Sequence, residues 1–175
     1  MSEYNLDTEN INEWVTTLKA GDIVNLSGYL YTARDAAHKR IAEALNNGNE
    51  PPFELENSVV YFAGPTPAKN GLTIGSIGPT TSSRMDAYSP LMLSKGQKAM
   101  IGKGNRSAEI VAAIKEYGAV YFAAIGGAGA LYSDCVKECQ VVAFEDLGCE
   151  SVKRLKVSDF SLIVAIDTEG NTLFR

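Results

Sequence analysis

Apolar positions along this chain fall into short blocks whose period switches between helical and extended. Over residues 8–19, Ile11, Val15 and Leu18 share one helical face, and Thr8 or Asn10 is placed to cap it. Residues 21–32 alternate loosely through Ile23, Val24, Leu26, Tyr29 and Leu30, which predicts a strand or strand pair broken near Ser27–Gly28. A helix is expected over 33–47, with Ala37, Ile41, Ala44 and Leu45 on one face and Asp35 paired to Lys39 one turn on. Asn46-Asn47-Gly48-Asn49 ends it, and Pro51-Pro52 forbids continuation. Val59–Ala63 reads as a short strand, and residues 64–78 hold too much glycine and proline for regular structure.

Further on, a helical piece is expected over 83–96, a strand over 99–101, a helix over 105–117 and a buried strand over 119–124. Gly126-Gly127 opens a helix expected to run to Lys137, and Val141–Phe144 is apolar again. Residues 161–167 and 172–174 flank a Thr-Glu-Gly-Asn turn and read as a terminal hairpin. The strand–helix–strand–helix–strand order over 98–145 predicts a parallel portion, while other strands lie outside it. The expectation is an α/β fold, a single layered domain with a mixed sheet. It spans 1–175, with residues 1–20 as an N-terminal helical extension and no shift of composition to mark a second domain.

Composition narrows the chemistry. The 175 residues are 45% hydrophobic and 21% charged, which suits a globular chain long enough to bury its own core. Cys135, Cys139 and Cys149 have neither zinc-site nor C-x-x-C spacing, and His38 is the only histidine. A self-contained metal site is therefore not expected. The net charge of −5 argues against a nucleic-acid partner, and no apolar run reaches membrane-spanning length. The opening MSEYNLDTENINEW is too acidic for a signal peptide, so a cytoplasmic location is expected.

Against that acidic background, three cations stand at element ends. Arg34 stands at a strand-to-helix junction, where the helix dipole does not favour a cation, and His38 follows one turn later on the same face. The alternative there is a surface arginine with a structural histidine. Gly75-Ser76-Ile77-Gly78-Pro79 leads into Thr80-Thr81-Ser82-Ser83-Arg84-Met85-Asp86. Its backbone N–H groups and hydroxyls suit an anion, and Arg84 supplies a fork that matches a carboxylate. A polar loop with a helix cap is the plain alternative. Gly102-Lys103-Gly104 precedes a helix without forming a Walker A motif, and a tight turn with an exposed lysine would explain it as well. Gly126-Gly127-Ala128-Gly129 lacks the spacing of a dinucleotide loop and is better read as close helix–strand packing. Glu145-Asp146 reads as solvated loop acids or a cap. If Arg34, Arg84 and Lys103 converge, they form a pocket for a small carboxylate or phosphate.

These stretches, with Tyr31–Arg40, Thr80–Tyr88, Ala123–Ala128, Ala143–Gly148 and Val164–Asp167, run in the order of a known family. The chain resembles the beta subunit of class I, iron–sulfur-dependent fumarate hydratase and the matching C-terminal domain of its single-chain forms. The L-tartrate dehydratase beta subunit belongs to the same family. The resemblance implies a swivelling β/β/α domain and reversible hydration of fumarate to (S)-malate. It implies an active site shared with an alpha subunit that holds a [4Fe–4S] cluster, this chain holding no metal. Arg34, Arg84 and Lys103 would bind substrate carboxylates, with His38 nearby. Thr80, helped by Thr81, would serve as the base. The partners expected are that alpha subunit and a small dicarboxylate, in a hetero-oligomer, or a homo-oligomer when isolated. The Thr80–Tyr88 wording leans toward fumarate over tartrate. A non-enzymatic small-anion-binding module built on Gly102–Gly104 is the alternative from another class.

Overall fold

The computed structural model describes residues 1–174. Seven strands form one mixed sheet: β1 (Glu3–Asp7), β2 (Ile23–Thr32), β3 (Val59–Tyr61), β4 (Ala99–Gly102), β5 (Val120–Ala123), β6 (Val136–Ala143) and β7 (Val152–Ile166). Five helices accompany them: α1 (Ile11–Trp14), α2 (Asp35–Asn46), α3 (Ser89–Ser94), α4 (Ala108–Tyr117) and α5 (Gly129–Cys135). Short 3-10 segments cover Thr8–Asn10, Ser82–Met85 and Glu145–Glu150.

Strands β2, β3, β4 and β5 run parallel in adjacent order. The long β7 runs antiparallel to β2 on one edge and to β5 and β6 on the other. The ring β2–β3–β4–β5–β7 therefore closes on itself, with β1 and β6 attached beside it. Closure removes most open sheet edge from the central strands. Alternation across the pleat separates two apolar clusters. Val59, Tyr61, Ile101 and Phe122 join the inner cluster with Leu26, Leu30 and Phe160, and Ile11, Trp14 and Leu18 close it from the N-terminal segment. Val60, Phe62, Met100 and Tyr121 face the other way and are covered by Ala37 and Ile41 of α2, Met92 and Leu93 of α3, and Ile110 and Ile114 of α4.

Several expectations need correction. The N-terminal extension is not wholly helical: β1 comes first because it finds a parallel neighbour in β2, and the short helix expected over 8–19 is a 3-10 turn at Thr8–Asn10 followed by α1 at Ile11–Trp14. The break near Ser27–Gly28 is a register shift within one continuous strand. The helix expected to reach Lys137 stops at Cys135, and the chain turns directly into β6. Among the described residues that last strand of the 98–145 run pairs only with β7, antiparallel, so the parallel portion is β1 to β5. The terminal hairpin reduces to one bridge, Ile166 to Thr172. No helix among the described residues is long and apolar enough to cross a membrane.

Candidate active site

Because β2, β3, β4 and β5 are parallel and in register at Thr32, Tyr61, Ile101 and Phe122, their carboxyl ends share one rim. Arg34, Gly64, Lys103 and Gly126 follow those ends in the sequence. In both open and closed parallel α/β sheets the carboxyl-end rim is the usual place for ligands.

The loop after β3 brings residues 80–82 back to this rim. Thr80 N–H donates to the Phe62 carbonyl (2.7 Å), Ser82 N–H to the Lys103 carbonyl (2.9 Å), and Lys103 N–H to the Thr80 carbonyl (3.4 Å). Thr81 and Lys103 thus form a parallel bridge beyond the end of β4. The approach requires glycine at 102, since a Cβ there would overlap the Ser82 hydroxyl. Tyr121 pins the same point from below: its hydroxyl donates to the Gly104 carbonyl (2.8 Å) and shares a hydrogen bond with Ser82 (2.9 Å). Burial pushes the Tyr121 phenol up from its ordinary pKa, so it stays protonated.

Arg84 follows on the 3-10 turn and points toward α2. Its Nε donates to Asp35 Oδ1 at 2.8 Å. Arg34 Nε lies 3.8 Å from Asp35 Oδ2 and 3.8 Å from Glu150 Oε1. Asp35 is thereby shared between the two arginines and is not paired with Lys39, which reaches Glu43 instead. Gly64 lets the Arg34 stem pass: a Cβ there would meet Arg34 Cδ at 2.9 Å and the Cys149 carbonyl at 3.1 Å.

A buried ion pair supports this loop. Arg106 Nε donates to Asp86 Oδ1 (2.6 Å), Nη2 donates to Ser89 Oγ (2.8 Å), and the guanidinium lies over the Phe62 and Tyr121 rings. Asp86 Oδ2 also accepts from Ser107 N–H, which ties the Thr80–Asp86 segment to the start of α4.

The rim therefore gathers Arg34, Thr80, Thr81, Arg84 and Lys103 on one open surface, with Thr81, Arg84 and Lys103 exposed. His38 is placed differently. It is 2% exposed, its Nδ1 hydrogen bonds the Arg34 carbonyl at 2.9 Å, and its ring meets the edge of Phe62 and leans on Tyr88. Desolvation lowers its pKa to about 4, with Arg106 adding to the effect, so the ring is neutral. It supports the backbone of Arg34 from beneath and does not line the rim.

The remaining motifs resolve plainly. Gly129 packs against residues 76–78 of the loop, with a Cβ there meeting the Gly78 nitrogen at 3.0 Å, so the close contact is with a loop and not a strand. Asp146 forms a two-pronged pair with Arg40 (2.8 and 2.6 Å), which also lies over Phe144. A separate cavity of about 240 Å³ is lined by Pro65, Ile74, Cys139, Cys149 and Lys153 and by none of the rim residues.

The donor set does not suit an iron–sulfur cluster. Among the described residues no three His, Cys, Asp or Glu side chains gather as a metal site. Cys149 is exposed, and burial raises the pKa of Cys135 and Cys139, which disfavours thiolate.

Comparison with known proteins fixes the family. The family described as Fumarase C-terminus matches residues 1–175. The chain belongs to the fumarase C-terminal family. Within it, the putative L(+)-tartrate dehydratase subunit beta of Methanocaldococcus jannaschii is 43% identical over 167 residues, covering 92% of this chain and 86% of that protein. Fumarate hydratase 2 of Leishmania major is 36% identical over 168 residues, covering 95% of this chain but 30% of the relative. The aerobic class I fumarate hydratase of Escherichia coli K12 is 35% identical over 154 residues, covering 87% and 28%. The chain thus spans under a third of these two fumarate hydratases and most of the tartrate dehydratase subunit. It shares the lyase family of both.

Sequence reasoning missed Asp35, Glu150, Gly64 and the Asp86–Arg106 pair. The i,i+4 spacing to Lys39 gave Asp35 an ordinary explanation, which hid its place between the arginines. Arg106 gave one usable signal, an arginine beside a helix cap, but only the fold shows it buried.

Proposed function

We propose that this chain is the beta subunit of a hydro-lyase that hydrates fumarate reversibly to (S)-malate, and that it takes the swivelling β/β/α form. The observation that carries the reading is the single rim where Thr80 and Thr81 are bridged to Lys103 beside two arginines that share Asp35. Arg34, Arg84 and Lys103 bring three positive charges to a dianion. Charge-assisted hydrogen bonds of this kind contribute about 1.5–3 kcal/mol each. Thr80, fixed through its backbone at the strand ends, is the base that takes the proton from carbon in the dehydration direction. Thr81 and the neighbouring cations favour its deprotonated form. In hydration the same hydroxyl returns the proton, and the hydroxyl of water ends on the adjacent carbon.

The rim is open, so half of the enclosure must come from elsewhere. The M. jannaschii relative is named a subunit beta, which supports an alpha subunit as the source. Because the described residues bring no three cluster ligands together, we assign a [4Fe–4S] cluster to that partner, where it would supply Lewis acidity. A cytoplasmic hetero-oligomer completes the proposal. A tartrate dehydratase role is the second reading, favoured by the coverage of that relative along nearly its full length.

The test is reconstitution with a cluster-bearing alpha chain encoded nearby, followed by assays with fumarate, malate and tartrate. Turnover that needs both chains, and that Arg84→Ala abolishes, supports the reading. The preferred substrate decides between the two hydro-lyases. Full activity from this chain alone would refute the shared site.

A further inference from the structure

Both arginines of the rim present their Nε edge to carboxylates of this chain. Arg84 Nε donates to Asp35 Oδ1, and Arg34 Nε stands between Asp35 Oδ2 and Glu150 Oε1 at 3.8 Å from each. Among the described residues, the terminal nitrogens of neither arginine donate a hydrogen bond to the protein. Arg34 Nε, Asp35 Oδ2 and Glu150 Oε1 are buried without a hydrogen-bond partner. Buried polar atoms are seldom left so, and here three of opposite character face one another at the threshold of contact. A guanidinium held by its Nε edge keeps its two terminal nitrogens for a second, forked interaction.

We propose that Asp35 and Glu150 are positioning residues: Asp35 fixes the rotamers of both arginines, and Glu150 steers Arg34, so that the free forks of Arg34 and Arg84 face a substrate carboxylate.

Asp35 is suited to this by its place. It is the first residue of α2, directly after Arg34; its Oδ1 accepts from Arg84 on the 3-10 turn, and its Oδ2 faces Arg34 Nε at 3.8 Å. Glu150 ends the 3-10 segment that follows β6, and that segment is held to α2 by the Arg40–Asp146 pair. The orientation of Arg34 is therefore set from two elements at once. The competing account makes Asp35 a helix-dipole partner only. That account predicts loss of stability on neutralisation and no specific effect on substrate binding.

The inference rests on the hydro-lyase reading for its kinetic test, and a second measurement is independent of activity. In the reconstituted enzyme, Asp35→Ala should raise KM for the dicarboxylate about tenfold or more, with kcat within a few-fold of wild type. Asp35→Asn keeps an oxygen for Arg84 Nε but loses the charge at the helix terminus. It should recover most of KM while still lowering Tm. Glu150→Gln should raise KM less than Asp35→Ala. In the full chain labelled with 15N, the Arg84 Nε–H signal should exchange slowly in wild type and Asp35→Asn and be lost to exchange in Asp35→Ala. An unchanged KM in Asp35→Ala, or an asparagine variant as impaired in KM as the alanine one, overturns the proposal. If the wild-type complex turns over no dicarboxylate, the hydro-lyase reading fails, and the Nε–H signals decide the positioning alone: a signal unaffected by Asp35→Ala overturns it.

Discussion

Gly102 and Ser82 approach so closely that a methyl group on Gly102 would occupy the space of the Ser82 hydroxyl. This contact is what allows the Thr80–Ser82 segment to lie along Lys103 beyond the end of β4. Backbone on one side and the Tyr121 hydroxyl on the other leave Ser82 no room to retreat.

Gly102→Ala should therefore push residues 80–82 off the rim. Activity of the assembled enzyme is expected to fall at least tenfold, since a misplacement of about 1 Å at a reacting group has effects of that order or larger. Gly78→Ala is the control, because a Cβ there meets nothing closer than 3.9 Å. Steady-state rates of the two variants, with circular dichroism to establish folding, make the comparison. Equal activity in both would mean that the threonines are not held by this contact.

The Asp86–Arg106 pair should be the most sensitive polar contact of the chain. Arg106 has no exposed side-chain surface, and its guanidinium is stacked over two rings as well as hydrogen bonded. Replacing it by methionine leaves Asp86 without its counter-charge. Breaking a buried pair in this way costs about 3–5 kcal/mol. For a chain of this size that lowers Tm by roughly 10 °C. Thermal unfolding of Arg106→Met checks the value, and a shift of only a degree or two would show that the pair is readily replaced.

His38 gives the fold a specific dependence on pH. Unfolded, its imidazole takes up a proton near pH 6.5, whereas in the folded protein it does so only at about 4. Arg106 opposes the charged form there and Asp35 eases it, but burial dominates. Between these values the unfolded state binds more protons, so stability falls as pH drops from 6.5 toward 4. The contribution lost is about 3 kcal/mol. His38→Gln removes the titrating group and should flatten this part of the profile. Urea denaturation at several pH values compares the two proteins, and parallel profiles would assign the acid sensitivity to other groups.

The rim residues were legible in the sequence because their types are unusual for their positions: Arg34 at a helix start, four hydroxyls before Arg84, Lys103 between glycines. The elements beneath them were legible where apolar periodicity was clean, as in α2, α4 and the strand cores at 59–61 and 99–102. β1 was not, because Glu3–Asp7 has a single aliphatic side chain, Leu6, and gains its pairing only from β2. Most of β7 was hidden in the same way. Lys153, Arg154 and Lys156 interrupt its apolar pattern, and their place on the strand is stabilised from outside, Arg154 lying 3.8 Å from the Tyr29 ring centroid. Asp35 and Glu150 are 115 positions apart by number, and no local pattern relates them to the same guanidinium.

Gly64 offers a way to move Arg34 without altering its charge or its carboxylate neighbours. A Cβ at this position meets Arg34 Cδ at 2.9 Å and the Cys149 carbonyl at 3.1 Å. The carbonyl belongs to backbone anchored by Lys153, which donates to it and to the Gly148 carbonyl. The arginine stem is the softer of the two, so it should yield. In Gly64→Ala the guanidinium is then displaced from between Asp35 and Glu150, and substrate affinity should suffer more than folding. We expect KM to rise about tenfold, the value of one charge-assisted hydrogen bond, with Tm lowered by only a few degrees. Kinetics of the reconstituted variant and its melting curve measure both quantities. A large fall in Tm with unchanged KM would show that the Cys149 backbone moved instead and that Arg34 kept its place.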